Sequence, residues 1–456
     1  MSAAHTPDEK FYNSMIMMVR RAFFGPAAPF QFIFLAMIGL LANLSCWNTA
    51  SQEQKNQPKL SKEVTAKDIL GNPDYLAISY GGYRQNSRDI QPTVEELKED
   101  LKILHAMKVR ILRTYNTKLA EASNLLKAIR QLREEDPGFE MYVMLGAWID
   151  CKDAWTANPN HDAESAEANA AEIGRAIDLT NQYPEIVKII AVGNEAMVKW
   201  AASYYVQPGI ILKYVTQLQQ LKKEGKLPAG LWITSSDNFA SWGGGGPEYH
   251  VPDLTRLMAA VDYVSMHTYP MHDTHYNPDF WGTFSGEEKL DKPEKVEAAM
   301  KRSLNYAIQQ YENVKAYLKK NGIEKPVHIG ETGWASASNE HYGADGSKAT
   351  DEYKEALYYH LMRNWTNENN IACFYFEAFD EIWKDANNPG GSENHFGLFT
   401  IDGQAKFALW DLVDQGVFEG LGRNGQSIGK TYNGNEATLL SEVLLPPVKE
   451  ALPVGN

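Results

Sequence analysis

Two glutamates close runs of sequence too apolar to hold a charge without a purpose: Glu195 in VKIIAVGNE (187–195) and Glu331 in VHIGETGW (327–334). Burying an ionised carboxylate costs several kcal/mol unless it is paired or hydrogen-bonded. For either glutamate alone, a structural ion pair to Arg113 or Lys199 explains the charge. Two such carboxyls facing one polar, aromatic cleft suit a different purpose, the cleavage of a glycosidic bond. One protonates the leaving oxygen, and the other attacks or stabilises the anomeric carbon. The acid needs a raised pKa, the nucleophile a depressed one. Asn194, adjacent to Glu195, is suited to bind a sugar 2-hydroxyl, while Arg113 and Tyr269 are a cation and a donor suited to keep Glu331 ionised. This makes Glu195 the acid/base and Glu331 the nucleophile. A separation of about 5 Å between the carboxyls implies retention of configuration, and about 7 Å or more implies inversion.

The elements that must position these groups are legible from about residue 70 onward. Eight short runs rich in Val, Ile, Leu and Tyr begin at 75, 109, 141, 187, 231, 261, 327 and 372. Their apolar residues are nearly continuous, as in strands of a parallel sheet covered by helices on its outer face. Between them lie charged segments with helical periodicity. TVEELKEDLKILHAM opens with Thr93 and Glu96 in capping-box spacing, and DEYKEALYYHLMRNW is a second example. Eight such units predict a (β/α)8 barrel, a TIM-barrel α/β fold, as a single catalytic domain over 70–456. An open doubly wound sheet is the alternative, but no phosphate-binding glycine loop follows the first strand. The sequence WGGGGPEYH (242–250) reads as a flexible active-site loop. The connections 238–260 and 270–294 are long and loaded with aromatic residues, which favours function over disorder.

Each run gains polar residues at its C-terminal end, the face on which barrel active sites are built. Tyr80, Arg113, Asn194, His267, Tyr269, Glu377, Glu381, Trp383 and Lys384 are the substrate-binding candidates, with Trp334 a candidate sugar platform. His267, His272 and His275 have the composition of a metal site, but sugar contact or loop packing is the reading preferred, with no metal or cofactor expected.

A formal charge of −14 over 456 residues disfavours nucleic acid and anionic membrane surfaces, and no basic patch offsets it. Three cysteines, Cys46, Cys151 and Cys373, are too few and too scattered for a disulfide framework, and the last two read as buried thiols. Cys46 follows an uncharged run of about 16 residues behind Arg20 and Arg21, an export signal short of the roughly 20 residues that span a bilayer. Residues 1–46 are therefore expected to be a signal or membrane-anchor segment, and 47–69 a polar linker. Ser45 before Cys46 resembles a bacterial lipoprotein processing site, although Asn43 stands where such sites usually carry Leu. An uncleaved single-span anchor is the rival. Either way the protein is expected to be exported and tethered to the membrane through this segment alone, or else periplasmic or extracellular.

VGNEAM (192–197), HIGETGWAS (328–336) and FYFEAFDEIWK (374–384) resemble, in that order, the signature segments of glycoside hydrolase family 17, β-1,3-glucanases of a clan of retaining (β/α)8 enzymes. ISYGGYR (78–84) and HTYP (267–270) are similar to segments of bacterial members. The resemblance implies Glu195 as acid/base, Glu331 as nucleophile, and Glu381 with Lys384 as supporting groups at a glucose-binding cleft. Ala335 replaces the proline usual in plant members. The implied activity is hydrolysis of a laminarin-like β-1,3-glucan, with endo action expected. Exo-glucosidase or glucanosyltransferase action on the same linkage and a non-catalytic glucan-binding barrel are the alternatives.

Overall fold

The eight apolar runs form eight strands: β1 Leu76–Ser79, β2 Val109–Arg113, β3 Tyr142–Ala147, β4 Val187–Asn194, β5 Trp232–Asn238, β6 Val264–His267, β7 Val327–Thr332 and β8 Cys373–Tyr375. In the computed structural model, which describes residues 64–449, they pair in parallel and close into a barrel, with β1 bonded to both β2 and β8. The (β/α)8 expectation is borne out. Seven helices cover the strands: α1 Val94–Ala106, α2 Ala120–Glu135, α3 Ala166–Gln182, α4 Pro208–Lys223, α5 Pro252–Ala260, α6 Lys292–Lys320 and α7 Glu352–Glu368. The eighth unit is reduced to Trp410–Asp414.

The period-two alternation of strands sorts their residues into two cores. Ala77, Ile111, Tyr142, Met144, Ile189, Ala191, Tyr263 and Phe374 point into the barrel, while Ile78, Leu112, Val143, Leu145, Ile190, Val192, Ile233 and Met266 pack under the helices. The expected polar linker over 47–69 ends differently. Residues 66–69 form a short helix whose Ala66 and Ile69 are wholly buried in the inner core, where they plug the floor of the barrel. The anchor segment 1–46, Cys46 included, lies outside the described residues.

Local signals behave as their chemistry requires. Thr93 Oγ1 accepts from the Glu96 amide at 3.2 Å and Glu96 Oε2 accepts from the Thr93 amide at 2.8 Å, so two otherwise orphaned donors at the start of α1 are satisfied. Such a cap contributes roughly 1 kcal/mol. The two long connections differ from the reading of them as loops. The first contains α5 and the second a helix over Pro270–Tyr276. Both of their tryptophans are packing: Trp242 is wholly buried with its indole N–H on Ser265 O at 2.9 Å, and Trp281 donates to Ser347 O at 2.7 Å. The glycine run after Trp242 is a packed turn, not a flexible loop. Gly243 has φ +86° and lies so close to Tyr317 that a Cβ would meet its ring at 2.2 Å.

The tail is also structural. A hairpin of Gly422–Arg423 and Gln426–Ser427 delivers Arg423 to the buried Asp100 of α1, with Nε 2.8 Å from Oδ1. Arg84 reaches the same carboxylate at 2.8 Å.

Candidate active site

Glu331 lies at the mouth of the barrel because β7 breaks its own alternation. Ile329 pairs with Met266 and Glu331 with His267, a slip of one residue that is repeated against β8. The extra residue is Gly330, whose missing Cβ would lie 2.1 Å from Ser265 Oγ and 2.5 Å from Ser236 Oγ. Strict alternation would have sent Glu331 outward with Val327 and Ile329. The bulge turns it into the cleft instead.

There it is surrounded by donors. Arg113 Nη1 bonds Oε2, Tyr115 O–H donates to Oε2 at 3.0 Å and Tyr269 O–H donates to Oε1 at 2.6 Å. Burial alone would raise this carboxyl, but Arg113, His267 and the two tyrosines outweigh it and hold it down to about 2. Arg113 is itself fully enclosed and fixed by Gly330 O at 3.0 Å and by Asn194 Oδ1. The ion pair considered as a structural alternative for Glu331 exists, and it is what keeps the group ionised. Lys199 makes no such pair with Glu195; its Nζ bonds Glu248 O at 3.0 Å.

Glu195 follows a second irregularity, a register shift between Ala191 and Asn194 on β4. Gly193 has φ +80° and Glu195 φ +46°, a conformation uncommon for a residue with a side chain and held by the Glu195 amide on Ser236 O at 2.9 Å. Burial first, and then the charge on Glu331, push the Glu195 carboxyl well above the usual carboxylate range. Opposed carboxyls cannot both ionise cheaply, and only one of them has the arginine.

His267 joins the two. Its Nδ1 is 3.1 Å from Glu195 Oε1 and 3.9 Å from Glu331 Oε1, and its Nε2 is 2.7 Å from Ser236 Oγ. Burial lowers its pKa to about 4, so at neutral pH the ring is uncharged and its contacts are hydrogen bonds, not ion pairs. One ligand-type atom from each of Glu195, His267 and Glu331 lies within 4.8 Å of the other two. That spacing would also suit a cation, but the positive charge at Glu331 is already supplied by Arg113.

A third group closes the β8 side. Lys384 Nζ bridges Glu377 Oε1 at 2.5 Å and Glu381 Oε2 at 3.3 Å, and the Trp383 indole N–H donates to Glu381 at 3.0 Å. Glu377 and Glu381 are almost wholly enclosed, whereas Trp383 is half-buried, with Tyr83 at 5.7 Å and the Arg88 guanidinium at 4.3 Å. Glu377 and Glu381 thus position Lys384 and Trp383, the members of the group that keep exposed surface.

Two expected binding residues are not at the cleft. Tyr80 is 1% exposed and its hydroxyl donates to Asp100 Oδ2 at 3.0 Å, beneath the site. Trp334 has no exposed surface, its N–H donates to Ala349 O at 2.8 Å and its ring packs between Trp281 and Tyr358, so it is core and no sugar platform. His272 stacks on Tyr269 at 5.1 Å and His275 on His341 at 4.2 Å, so the histidine cluster disperses into aromatic contacts. Sequence reasoning assigned no role to Tyr115 or Ser236. Tyr115 lies two residues beyond Arg113 and Ser236 two beyond Thr234, so strand parity was the available signal.

The family model described as the BtgE/BtgC glycoside hydrolase domain matches residues 77–397, more than two thirds of the chain and all of the site. The chain belongs to this family. An endo-laminarinase from Formosa Hel1_33_131 is 67% identical, with a TM-score of 0.85 over 86% of this chain and 100% of that one. A glycoside hydrolase family 17 β-1,3-glucanosyltransferase from Rhizomucor miehei, 20% identical with a TM-score of 0.51 over 74% of this chain and 96% of that one, shares the fold. A glucan endo-1,3-beta-glucosidase of Emericella nidulans is 23% identical over 67% of this chain and 40% of its own length. This glycoside hydrolase chain spans less than half the length of the curated relatives it matches. The resemblance to family 17 carried by the three motifs is borne out.

Proposed function

We propose that the chain is a retaining, endo-acting β-1,3-glucanase that works by double displacement. The observation that carries the reading is the approach of Glu195 and Glu331 to within 4.8 Å, atom to atom, the first carboxyl pushed up by burial and the second held down by Arg113. That separation leaves no room for the water that an inverting enzyme holds between its carboxyls. A Glu331 oxygen attacks the anomeric carbon, the bond to the glycosidic oxygen breaks, and Glu195 passes its proton to that departing oxygen. Glu195, now ionised, takes a proton from water, whose oxygen displaces Glu331 and restores the original configuration. Arg113, Tyr115 and Tyr269 keep Glu331 charged in the resting state, and Asn194 is the neighbour suited to the 2-hydroxyl. The β-1,3-glucan substrate and the endo mode rest on the 67%-identical endo-laminarinase.

The test uses laminarin-type oligosaccharides and a β-glucoside with an activated aryl leaving group. Glu331→Ala removes turnover on both. Glu195→Ala removes turnover on oligosaccharide but spares the first step on the aryl glucoside, and azide then yields a β-glycosyl azide. Wild-type hydrolysis by either variant refutes the mechanism. A ladder of product sizes marks endo action, glucose alone marks exo action, and products longer than the substrate mark transfer.

Export and tethering through residues 1–46 are part of the proposal, supported by the Arg20–Arg21 flank, the apolar run and Cys46. Among the described residues no helix is long and apolar enough to cross a membrane. Release of a Cys46→Ser variant from the membrane fraction supports the tether at Cys46. Unchanged retention points instead to an uncleaved span.

A further inference from the structure

Beyond β3 the chain folds into a small hairpin, Cys151–Lys152 against Asn160–Glu164, that the catalytic assignment leaves without a task. It carries Trp155, 62% exposed and with φ +65°, a conformation costly for a bulky residue. The surroundings enforce it: the Trp155 amide donates to Ser203 O at 2.8 Å, and the Cys151 amide to Tyr204 O at 3.1 Å. Three rings result in one array. Trp155 lies parallel to Tyr204 at 5.0 Å and 19°, and Trp148 is 5.0 Å from Tyr204 and 6.4 Å from Trp155. Beneath them Asp150 Oδ1 accepts both indole N–H groups, Trp148 at 2.7 Å and Trp155 at 3.3 Å. An exposed tryptophan held rigidly, in a strained backbone and by its polar edge, leaves its apolar face for a ligand.

The array belongs to the acid side of the cleft. Tyr204 lies on the segment that leaves β4 directly after Glu195. That segment returns to the end of β4, where the Val206 amide donates to Ala196 O at 2.6 Å, next to Glu195. In the strand order the array hangs from β3 and β4, whereas Phe376 and the buried Glu377 and Glu381 follow β8 on the other side of the barrel. Since Glu195 gives its proton to the leaving oxygen, the departing half of the substrate lies on Glu195's side.

We infer that Trp155, Trp148 and Tyr204 form a binding platform for the leaving-group half of a neutral β-linked glucan chain, with Asp150 as the residue that sets the rings. This deepens the glucanase reading and rests on it. Apolar faces of pyranose rings stack on the exposed indole, and the Asp150 carboxyl that holds the two indole N–H groups disfavours anionic sugars. The platform lies beyond the bond being cleaved, so it matters for long chains and little for short ones. It raises the enzyme's preference for polymer.

The experiment measures kcat/KM for wild type, Trp155→Ala, Trp155→Phe, Asp150→Ala and Asp150→Asn on a β-1,3-linked trisaccharide, hexasaccharide and polymer. Trp155→Ala is expected to lose about tenfold on hexasaccharide and polymer, mainly through KM, and less than twofold on trisaccharide. Trp155→Phe recovers part of the loss. Asp150→Asn keeps the acceptor and stays near wild type, while Asp150→Ala follows Trp155→Ala. Equal losses at every chain length, or none, overturn the platform while leaving the glucanase reading intact. Failure of the wild type to cleave any of these substrates sinks that reading itself. Melting temperatures identify a variant that has merely lost its fold, in which case the phenylalanine and asparagine variants decide.

Discussion

Replacing Arg113 by methionine removes the one cation bonded to Glu331 while keeping most of the buried volume. In the native site Glu331 is held at about 2, against an ordinary value of 4.5. The gap is worth about 3 kcal/mol of preference for the charged form, at roughly 1.4 kcal/mol per unit. Without the guanidinium, burial dominates, and Tyr115, Tyr269 and a neutral His267 are left to oppose it. The Glu331 carboxyl is then expected to rise above the ordinary 4.5. Because a retaining enzyme needs Glu331 ionised and Glu195 protonated, the acidic limb of kcat/KM against pH belongs to Glu331 and the basic limb to Glu195. The wild type should therefore show no Glu331 limb between pH 3 and 7, whereas Arg113→Met should show one descending below about pH 5 to 6. Stability has a matching sign. A depressed carboxyl contributes stability that is present above its unfolded value near 4.5 and lost as pH falls through about 2. The variant, with a buried unpaired carboxylate, should lose about 3 to 5 kcal/mol at pH 7. That deficit should shrink as acid protonates Glu331. Profiles on a β-1,3-linked oligosaccharide with urea unfolding at pH 7 and 4 make the test. An unmoved acidic limb in a destabilised variant would refute Arg113 as the group that keeps the nucleophile charged.

Trp334→Phe, which deletes the N–H bonded to Ala349 O and part of a packed ring, should cost about 1 to 3 kcal/mol in chemical unfolding and leave KM for oligosaccharide unchanged. A raised KM with unchanged stability would return Trp334 to the cleft. Arg423→Met removes one of the two cations bonded to the wholly buried Asp100, leaving Arg84 and Tyr80, and should cost about 1 to 3 kcal/mol, read as a lower urea midpoint with kcat preserved in the folded fraction. Gly330→Ala puts a methyl group into the space of Ser265 Oγ and Ser236 Oγ, disturbing the Ser236–His267–Glu195 chain. Its kcat should fall at least tenfold, and a wild-type kcat would mean that the bulge tolerates a Cβ.

Much of this molecule is written locally. Unbroken Val/Ile/Leu runs separated by charged helical segments leave little choice but a helix-covered parallel sheet, and the Thr93–Glu96 spacing announces the start of α1 without help from the rest of the chain. A glutamate at the end of each of two such runs is legible as chemistry because its charge is out of place. Residues whose roles depend on distant partners are harder to read. Trp334 and Tyr80 have the right type and position for a sugar site, but each is buried against a helix that packs there only in the folded barrel, Trp334 on Tyr358 of α7 and Tyr80 on Asp100 of α1. The aromatic array on the β3 hairpin escaped notice because Trp155 and Tyr204 are far apart in sequence and meet only through backbone hydrogen bonds.

The sequence by itself determined the barrel, the two carboxyls and their order along the chain, since hydrophobic periodicity and the cost of a buried charge act through near neighbours. Tertiary structure alone decided which way the carboxyls point and how they differ. Parity along β7 sends Glu331 outward, and only the slip against β6 and β8 turns it inward. Arg113 bonds Glu331 and not Glu195, a pairing between β2 and β7 that exists only once the barrel has closed. Two chemically identical side chains became an acid and a nucleophile because pKa depends on the distance to a charge, and that distance exists only once the barrel has closed.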